Sequence, residues 1–402
     1  MTRPDAPVLT LNAGSSSLKF AVFQPAKKGR EPVEILGGQI SAIGAGSSFT
    51  CRIAGETEEN GAPKVAAAGT IATHEQALEH VLAFLQSRQI TLAQLAGAGH
   101  RVVHGGARFT APVRVDAPVL EVLDKLAPLA PHHMPHNLEA IRALAALAPD
   151  LPQIACFDTA FHAAQGEIET RLPLPGKWFD RGLRRYGFHG LNYDHVVKTL
   201  PGVMSAPLPK RLVILHLGNG ASICAVKDGA CVGTSMGFST LDGLIMATRC
   251  GSIDPGVLLH LQKAEGLDVE QLEDLLYNRS GLLGLSGTSG NMQVLLAEDS
   301  DEARFAVNKY CHAAARHVGS LLPLLGGLDA LVFTGGIGEN AAPVREKIAA
   351  HLACFGVQLD ERANRAHGPE ITAPGASPSL WIVPANEEET IARQVFALIR
   401  AS

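Results

Sequence analysis

The chain has 402 residues, 46% of them hydrophobic and 18% charged, which suits two or three domains of roughly 150 residues and excludes a mainly disordered chain. Its formal net charge of −5, with no long basic run, argues against a nucleic-acid partner held through its phosphates. No apolar stretch reaches the ~20 residues of a membrane span, and the N-terminus lacks the basic segment of a secretory signal. The seven cysteines are scattered without a Cys-x-x-Cys pair, which suggests neither a disulfide framework nor a cysteine zinc site. A soluble, cytoplasmic protein is the expectation.

In chain order, residues 8–11 form a short β-type run, residues 12–17 a turn of small polar residues, and residues 18–23 a second strand, together a hairpin. Residues 98–103 and 152–157 read as buried strands, and residues 138–147 have helical spacing with Asn137 as N-cap. The strand–turn–strand pattern recurs at residues 212–226, where Leu11 matches Leu215, Gly14 matches Gly218, Ala21 matches Ala225 and Val22 matches Val226. That recurrence marks a duplicated domain. Residues 257–263, 269–277 and 303–325 read as helices, and residues 330–333 as a short buried strand. The glycine-rich segment 334–338 leads into a helix over 343–352, and a last strand, 380–383, precedes a helix over 388–399. Strands alternating with helices define an α/β protein with helix-covered sheets, its interdomain boundary near residue 150.

Three glycine- or serine-rich turns follow apolar strands, at 12–17, 218–221 and 335–340, and such turns let backbone N–H groups approach an anion. None has the Walker A spacing, so a P-loop NTPase is excluded. Arg101 and Asp158 stand within or at the end of apolar strands, and His189 and Arg249 lie in glycine-containing segments. Two arginines, a carboxylate and a histidine suit phosphoryl transfer, which needs cations around a spreading negative charge. His132, His133 and His136 read as solvent-facing residues at a helix start and not as a metal site.

Leu11-Asn12-Ala13-Gly14-Ser15-Ser16-Ser17-Leu18-Lys19-Phe20 closely resembles the N-terminal signature of the acetate kinase family. His100-Arg101-Val102-Val103-His104-Gly105-Gly106, Phe157-Asp158-Thr159-Ala160-Phe161-His162 and Arg185-Tyr186-Gly187-Phe188-His189-Gly190 resemble its next motifs. His216-Leu217-Gly218-Asn219-Gly220-Ala221-Ser222, Thr334-Gly335-Gly336-Ile337-Gly338-Glu339-Asn340 and Asn386-Glu387-Glu388 complete the series, which runs from residue 8 to about residue 392. The resemblance implies duplicated actin-like (ribonuclease H-like) domains, 1–150 plus 384–402 and 151–383, with a nucleotide cleft between them. It implies reversible transfer of the ATP γ-phosphoryl group to acetate, giving acetyl phosphate and ADP, with Mg²⁺ or alternatively Mn²⁺, in a homodimer. Carried over by position, Asp158, His189 and Arg249 are catalytic, and Arg101, Val103, Phe188 and His133 bind the acid. Lys19, His216, Leu217, Gly218, Asn219, Gly220, Asn291, Met292, Gln293, Gly336, Ile337, Gly338, Glu339 and Asn340 face the nucleotide, and Asn12 and Glu387 take the metal.

Acetate is ionised at pH 7, so Asp158 is better suited to orienting Mg²⁺ or the carboxyl group than to abstracting a proton. The chain departs from the family pattern where Asn291 and Gln293 replace an aspartate and an arginine, which bears on nucleotide preference. Thr240 and His132 stand where proline and leucine are usual, which bears on the choice between acetate and propionate. Gly190-Leu191-Asn192-Tyr193 also departs, and is expected to alter packing only. The competing class is an ATP-driven chaperone or actin-like module, against which Arg101, Arg249 and His189 count, because neither needs an arginine for a carboxylate.

Overall fold

The structure, a computed structural model, describes residues 5–14, 16–25, 31–44, 46–54, 64–67 and 71–401. The chain divides into two compact units, Met1–Ala160 with Asn386–Ser402, and Phe161–Ala385. In the first, β1 (Val8–Ala13) and β2 (Ser17–Gln24) make the expected hairpin. It continues antiparallel through β3 (Val33–Ser41), β4 (Ser48–Ile53) and β5 (Lys64–Ala67), strands that the sequence pattern had not marked. With β6 (Gly97–Val102), β7 (Val113–Arg114) and β8 (Gln153–Phe157), the sheet order is β5-β4-β3-β2-β1-β6-β8-β7. β6 runs parallel to both β1 and β8. That pairing carries the first unit past the boundary expected near residue 150, since β8 is a strand of the first sheet.

One face of this sheet buries Leu9, Leu11, Leu18, Phe20 and Val22 with Leu78, Val81 and Leu85 of helix His74–Ser87 and Leu144 of helix Met134–Leu147. Each such side chain contributes about 1.5–3 kcal/mol when removed from water. Helix Glu387–Ala401 covers the other face. A Cβ at Gly99 would lie 2.4 Å from Ile391 and 2.6 Å from Val395 of that helix, so only glycine at this point of β6 admits it. Asn137 is not the cap of helix Met134–Leu147 but lies inside it. Its amide donates to Ala13 O at 2.8 Å and accepts from Val103 N at 3.0 Å, tying the ends of β1 and β6 together.

The second unit holds β9 (Arg211–Leu217), β10 (Ala221–Lys227), β11 (Ala230–Thr234), β12 (Ala330–Thr334) and β13 (Ser379–Ile382), in the order β11-β10-β9-β12-β13. Two antiparallel pairs followed by two parallel ones repeat the arrangement β3-β2-β1-β6-β8, which establishes the duplication by topology. The matched identities do not all survive as equivalents. Ala21 pairs with Thr10 whereas Ala225 pairs with Val213, so the second hairpin is registered one residue differently. The expected helices are present as Pro255–Ala264, Val269–Asn278, Asp301–Leu325 and Ala342–His351. Asp254, Asp268 and Ser300 cap the first three through their side chains. Residues 335–340, expected as a turn, form the short helix Gly335–Asn340. Among the described residues, no helix is long and apolar enough to cross a membrane.

Candidate active site

In the first unit, three adjacent strands deliver polar side chains at their C-terminal ends, where open α/β sheets place ligand groups. Asn12 comes from β1, Arg101 from β6 and Asp158 from the residue after β8, and Glu387 opens the last helix. The Arg101 guanidinium grips Asp158 along one edge, Nε to Oδ1 at 3.0 Å and Nη2 to Oδ2 at 2.6 Å. Nη1 donates to Asn12 Oδ1 at 3.2 Å, and Glu387 Oε2 lies 3.6 Å from Nε. Asn12 Nδ2 donates to Glu387 Oε2 at 2.8 Å. Asp158 is fully buried, and an ion pair so placed is held by geometry because losing either partner strands a buried charge. Burial alone would lower the Arg101 pKa, but Asp158, Glu387 and Glu388 outweigh it and hold the guanidinium above its ordinary value.

Behind Arg101, Thr159 Oγ1 accepts from Gly105 N at 3.0 Å and His104 Nδ1 accepts from Gly106 N at 2.9 Å, which fixes the loop after β6. Burial pushes His104, and likewise His100, down to about 4. Val103 is buried, and His133 is half-buried at the N-terminus of helix Met134–Leu147. Lys19 is exposed on β2, directly across from Asn12. His132 is exposed, but His136 does not face solvent freely as expected. Its ring stacks on His74 at 4.6 Å, with Glu139 3.9 Å from Nδ1.

In the second unit, His189 precedes helix Gly190–Met204 with φ 60° and ψ 22°, a left-handed conformation that a non-glycine residue adopts at a cost of order 1–3 kcal/mol. Its Nδ1 meets Ser222 Oγ at 2.8 Å, and that hydroxyl is also bonded to Tyr193 Oη at 2.5 Å. The His189 and His216 rings stack at 4.2 Å. Asn192 donates to His216 Nδ1 at 2.8 Å, so the His216 proton resides on Nε2. Asn192 and Tyr193 therefore do more than alter packing: they set the orientation of both site histidines. Arg249 is held by its Nη1, which donates to Thr240 O at 3.1 Å. A Cβ built on Gly220 would lie 3.3 Å from His189 Nε2 and 3.9 Å from Arg249 Nη1, so the two side chains expected to act on one phosphoryl group flank one backbone point.

Beside them a cavity of about 570 Å³ is lined by Gly218, Asn219, Asn291, Met292, Gln293, Gly336, Ile337 and Asn340, among others. These were expected to face the nucleotide, and the structure gathers them. Asn291 Oδ1 accepts from Gln293 N at 2.9 Å and caps helix Met292–Ala297, a task the oxygen of an aspartate would do equally. Gly335 has φ 79°, and a Cβ there would meet Leu217 O at 2.8 Å, so glycine is required where β12 turns into helix Gly335–Asn340. Other expected contacts do not line this cavity. Leu217 and Gly338 are buried, and Glu339 Oε1 instead accepts from Ala385 N at 2.9 Å. Phe188 is buried, its carbonyl 2.8 Å from His162 Nε2.

Sequence reasoning missed Arg345, which has no carboxylate partner among its described hydrogen bonds. Its guanidinium donates to Gly338 O and Glu339 O, each at 2.8 Å, and to Asn364 O at 2.8 Å and Oδ1 at 2.7 Å. Burial lowers its pKa to about 10. It thereby anchors the carbonyl end of helix Gly335–Asn340, whose other side lines the cavity.

A duplicated α/β sheet with a glycine-lined cavity, His189 and Arg249 flanking Gly220 and a carboxylate-gripped arginine defines a phosphotransferase-type architecture. Comparison with known proteins makes this specific. The model of the acetokinase family matches residues 7–393, and the chain belongs to that family. An acetate kinase of Methylocella silvestris is 41% identical over 406 residues, covering 98% of each chain. Among solved structures, a propionate kinase of Francisella tularensis superposes with TM-score 0.88 at 32% identity, covering 97% of this chain and 98% of that one. A Porphyromonas gingivalis acetate kinase gives TM-score 0.85 at 33% identity, covering 98% and 100%. The core repeated in both units is thus the duplicated actin-like fold.

Proposed function

We propose that the chain is an acetate kinase, transferring the ATP γ-phosphoryl group reversibly to acetate to give acetyl phosphate and ADP. The observation that carries this is the convergence of His189 Nε2 and Arg249 Nη1 beside a cavity lined by the glycines of two phosphate-type loops. The two cations would hold the equatorial oxygens of the transferred group in a loose, metaphosphate-like transition state. In the first unit, Asp158 occupies the side edge of Arg101, so an acid would meet the end of the guanidinium fork. Asp158 then acts by holding that fork, and no proton abstraction is asked of it. Val103, His133 and Phe188 would border the acid, and His216, Gly218, Asn219, Gly220, Lys19 and the lining of the cavity would take the nucleotide.

Mg²⁺ is the cation this reaction uses, and it would neutralise the phosphate oxygens. Glu387 and Glu388 would supply the hard oxygen donors it takes. Asn12 turns its amide N–H toward them, at 2.8 Å and 3.5 Å, and its oxygen toward Arg101, which suits it to orienting the carboxylates. A cytoplasmic location is supported by seven cysteines that form no disulfide. A homodimer is supported by the family, and light scattering of the full-length protein tests it.

Likeness to a propionate kinase favours propionate as the second acid, and one methylene in an apolar pocket discriminates only ~10- to 200-fold. The test is a hydroxamate assay with formate, acetate, propionate and butyrate at fixed ATP and Mg²⁺. Acetate should give the highest kcat/KM and propionate the next. Hydroxamate from none of the four would end this reading.

A further inference from the structure

Next to Phe188, but among residues given no role above, His162, Cys224 and Cys231 form a buried cluster in the second unit, each 2% exposed or less. His162 Nδ1 lies 3.1 Å from Cys231 Sγ, which lies 3.4 Å from Cys224 Sγ. The three donor atoms all lie within 4.8 Å of one another. From these positions we propose that His162, Cys224 and Cys231 form a binding site for a thiophilic divalent cation, of which Zn²⁺ is the type. The sequence did not announce it, because the cysteines lie on neighbouring strands β10 and β11 and the histidine comes from far upstream.

Three features carry the assignment. The first is spacing. Zn–S near 2.3 Å and Zn–N near 2.0–2.1 Å at tetrahedral angles require sulfurs about 3.8 Å apart and S···N about 3.6 Å. The observed contacts need to open by only about half an ångström, whereas a disulfide at about 2.05 Å requires the sulfurs to close by well over an ångström. The second is the outer contact. His162 Nε2 faces Phe188 O at 2.8 Å, so Nε2 donates and the lone pair of Nδ1 points at the sulfurs. A ligating histidine is commonly oriented in this way, by a carbonyl accepting from its other nitrogen. The third is charge, since two thiolates, a neutral imidazole and a divalent cation sum to zero, as a fully buried site demands.

Binding replaces the two S–H protons by metal–sulfur bonds and releases both protons to solvent. The bound ion would also stiffen the carbonyl of Phe188, the residue before His189.

The test uses the full-length protein, expressed with zinc in the medium, purified without chelator and dialysed. Metal analysis should find about one zinc per chain. Cys224→Ser and Cys231→Ser should each reduce it at least about 10-fold, while Cys156→Ala, at a buried thiol elsewhere, retains it. Cobalt substitution should give thiolate charge-transfer absorption that vanishes in the same two variants. His162→Gln, which keeps both sulfurs, should also lose metal, and circular dichroism checks that each variant is folded. Metal-free protein with both thiols alkylatable after unfolding, a Cys224–Cys231 disulfide in the intact mass, or zinc retained by both serine variants would each overturn the proposal.

Discussion

His100 and His104 flank Arg101 on β6 and its following loop, and both are buried neutral. Burial lowers each from 6.5 to about 4, so the unfolded chain takes up a proton between those values that the folded one refuses. Stability from this source is therefore complete above pH 6.5 and is lost as pH falls toward 4. Going from pH 7.5 to 5.0 costs about 2 kcal/mol for each histidine and about 4 kcal/mol for the pair. That is a large part of the 5–15 kcal/mol typical of a folded domain. Urea unfolding at the two pH values measures it, provided the slope with denaturant stays constant. His104→Asn is the decisive variant, because the asparagine oxygen can replace Nδ1 as acceptor for Gly106 N while removing the titration. It should shrink the pH-dependent loss to about 2 kcal/mol. An unchanged loss in this variant, or a wild-type chain equally stable at both pH values, would refute the reasoning.

Arg345→Met should remove the donor to Gly338 O and to Asn364 Oδ1, while Glu339 O and Asn364 O keep His367, and it should cost roughly 3–5 kcal/mol by urea unfolding and weaken ADP binding by calorimetry. Asn137→Ala removes the tie between Ala13 and Val103 and should cost about 2–3 kcal/mol in the same unfolding assay. Arg249→Ala should lower kcat on the order of 10³-fold with little change in the ATP KM, because its cation acts on charge that develops during transfer. A proportionate rise in the ATP KM would instead make Arg249 a ground-state nucleotide contact.

Much of the fold was legible because its signals are local. The turns after β1 and β9 are written in small polar and glycine residues between apolar strands, and residues 257–263, 269–277 and 303–325 have helical spacing. Strands β3 to β5 carry two glycines and several polar residues, so alternation is broken and they emerge only as partners of β2. The charged residues proposed for the site were visible as charges in apolar surroundings, Arg101 and Asp158 foremost. Their supports were not. Arg345 sits in Ala342–His351, a helix the sequence pattern marks without showing what its charges meet, and Asn192 differs from the family pattern in a way that only its contact with His216 explains. Tertiary partners are set by topology, and a one-dimensional pattern does not carry them.

The most direct test of the account is the steady-state kinetics of Arg101→Lys, with acetate and ATP varied separately. A point charge in place of the fork, still beside Asp158, should raise the acetate KM at least about 10-fold and leave the ATP KM within about twofold. An unchanged acetate KM with a raised ATP KM would show that the guanidinium gripped by Asp158 serves the nucleotide, and the assignment of the acid to this site would fall.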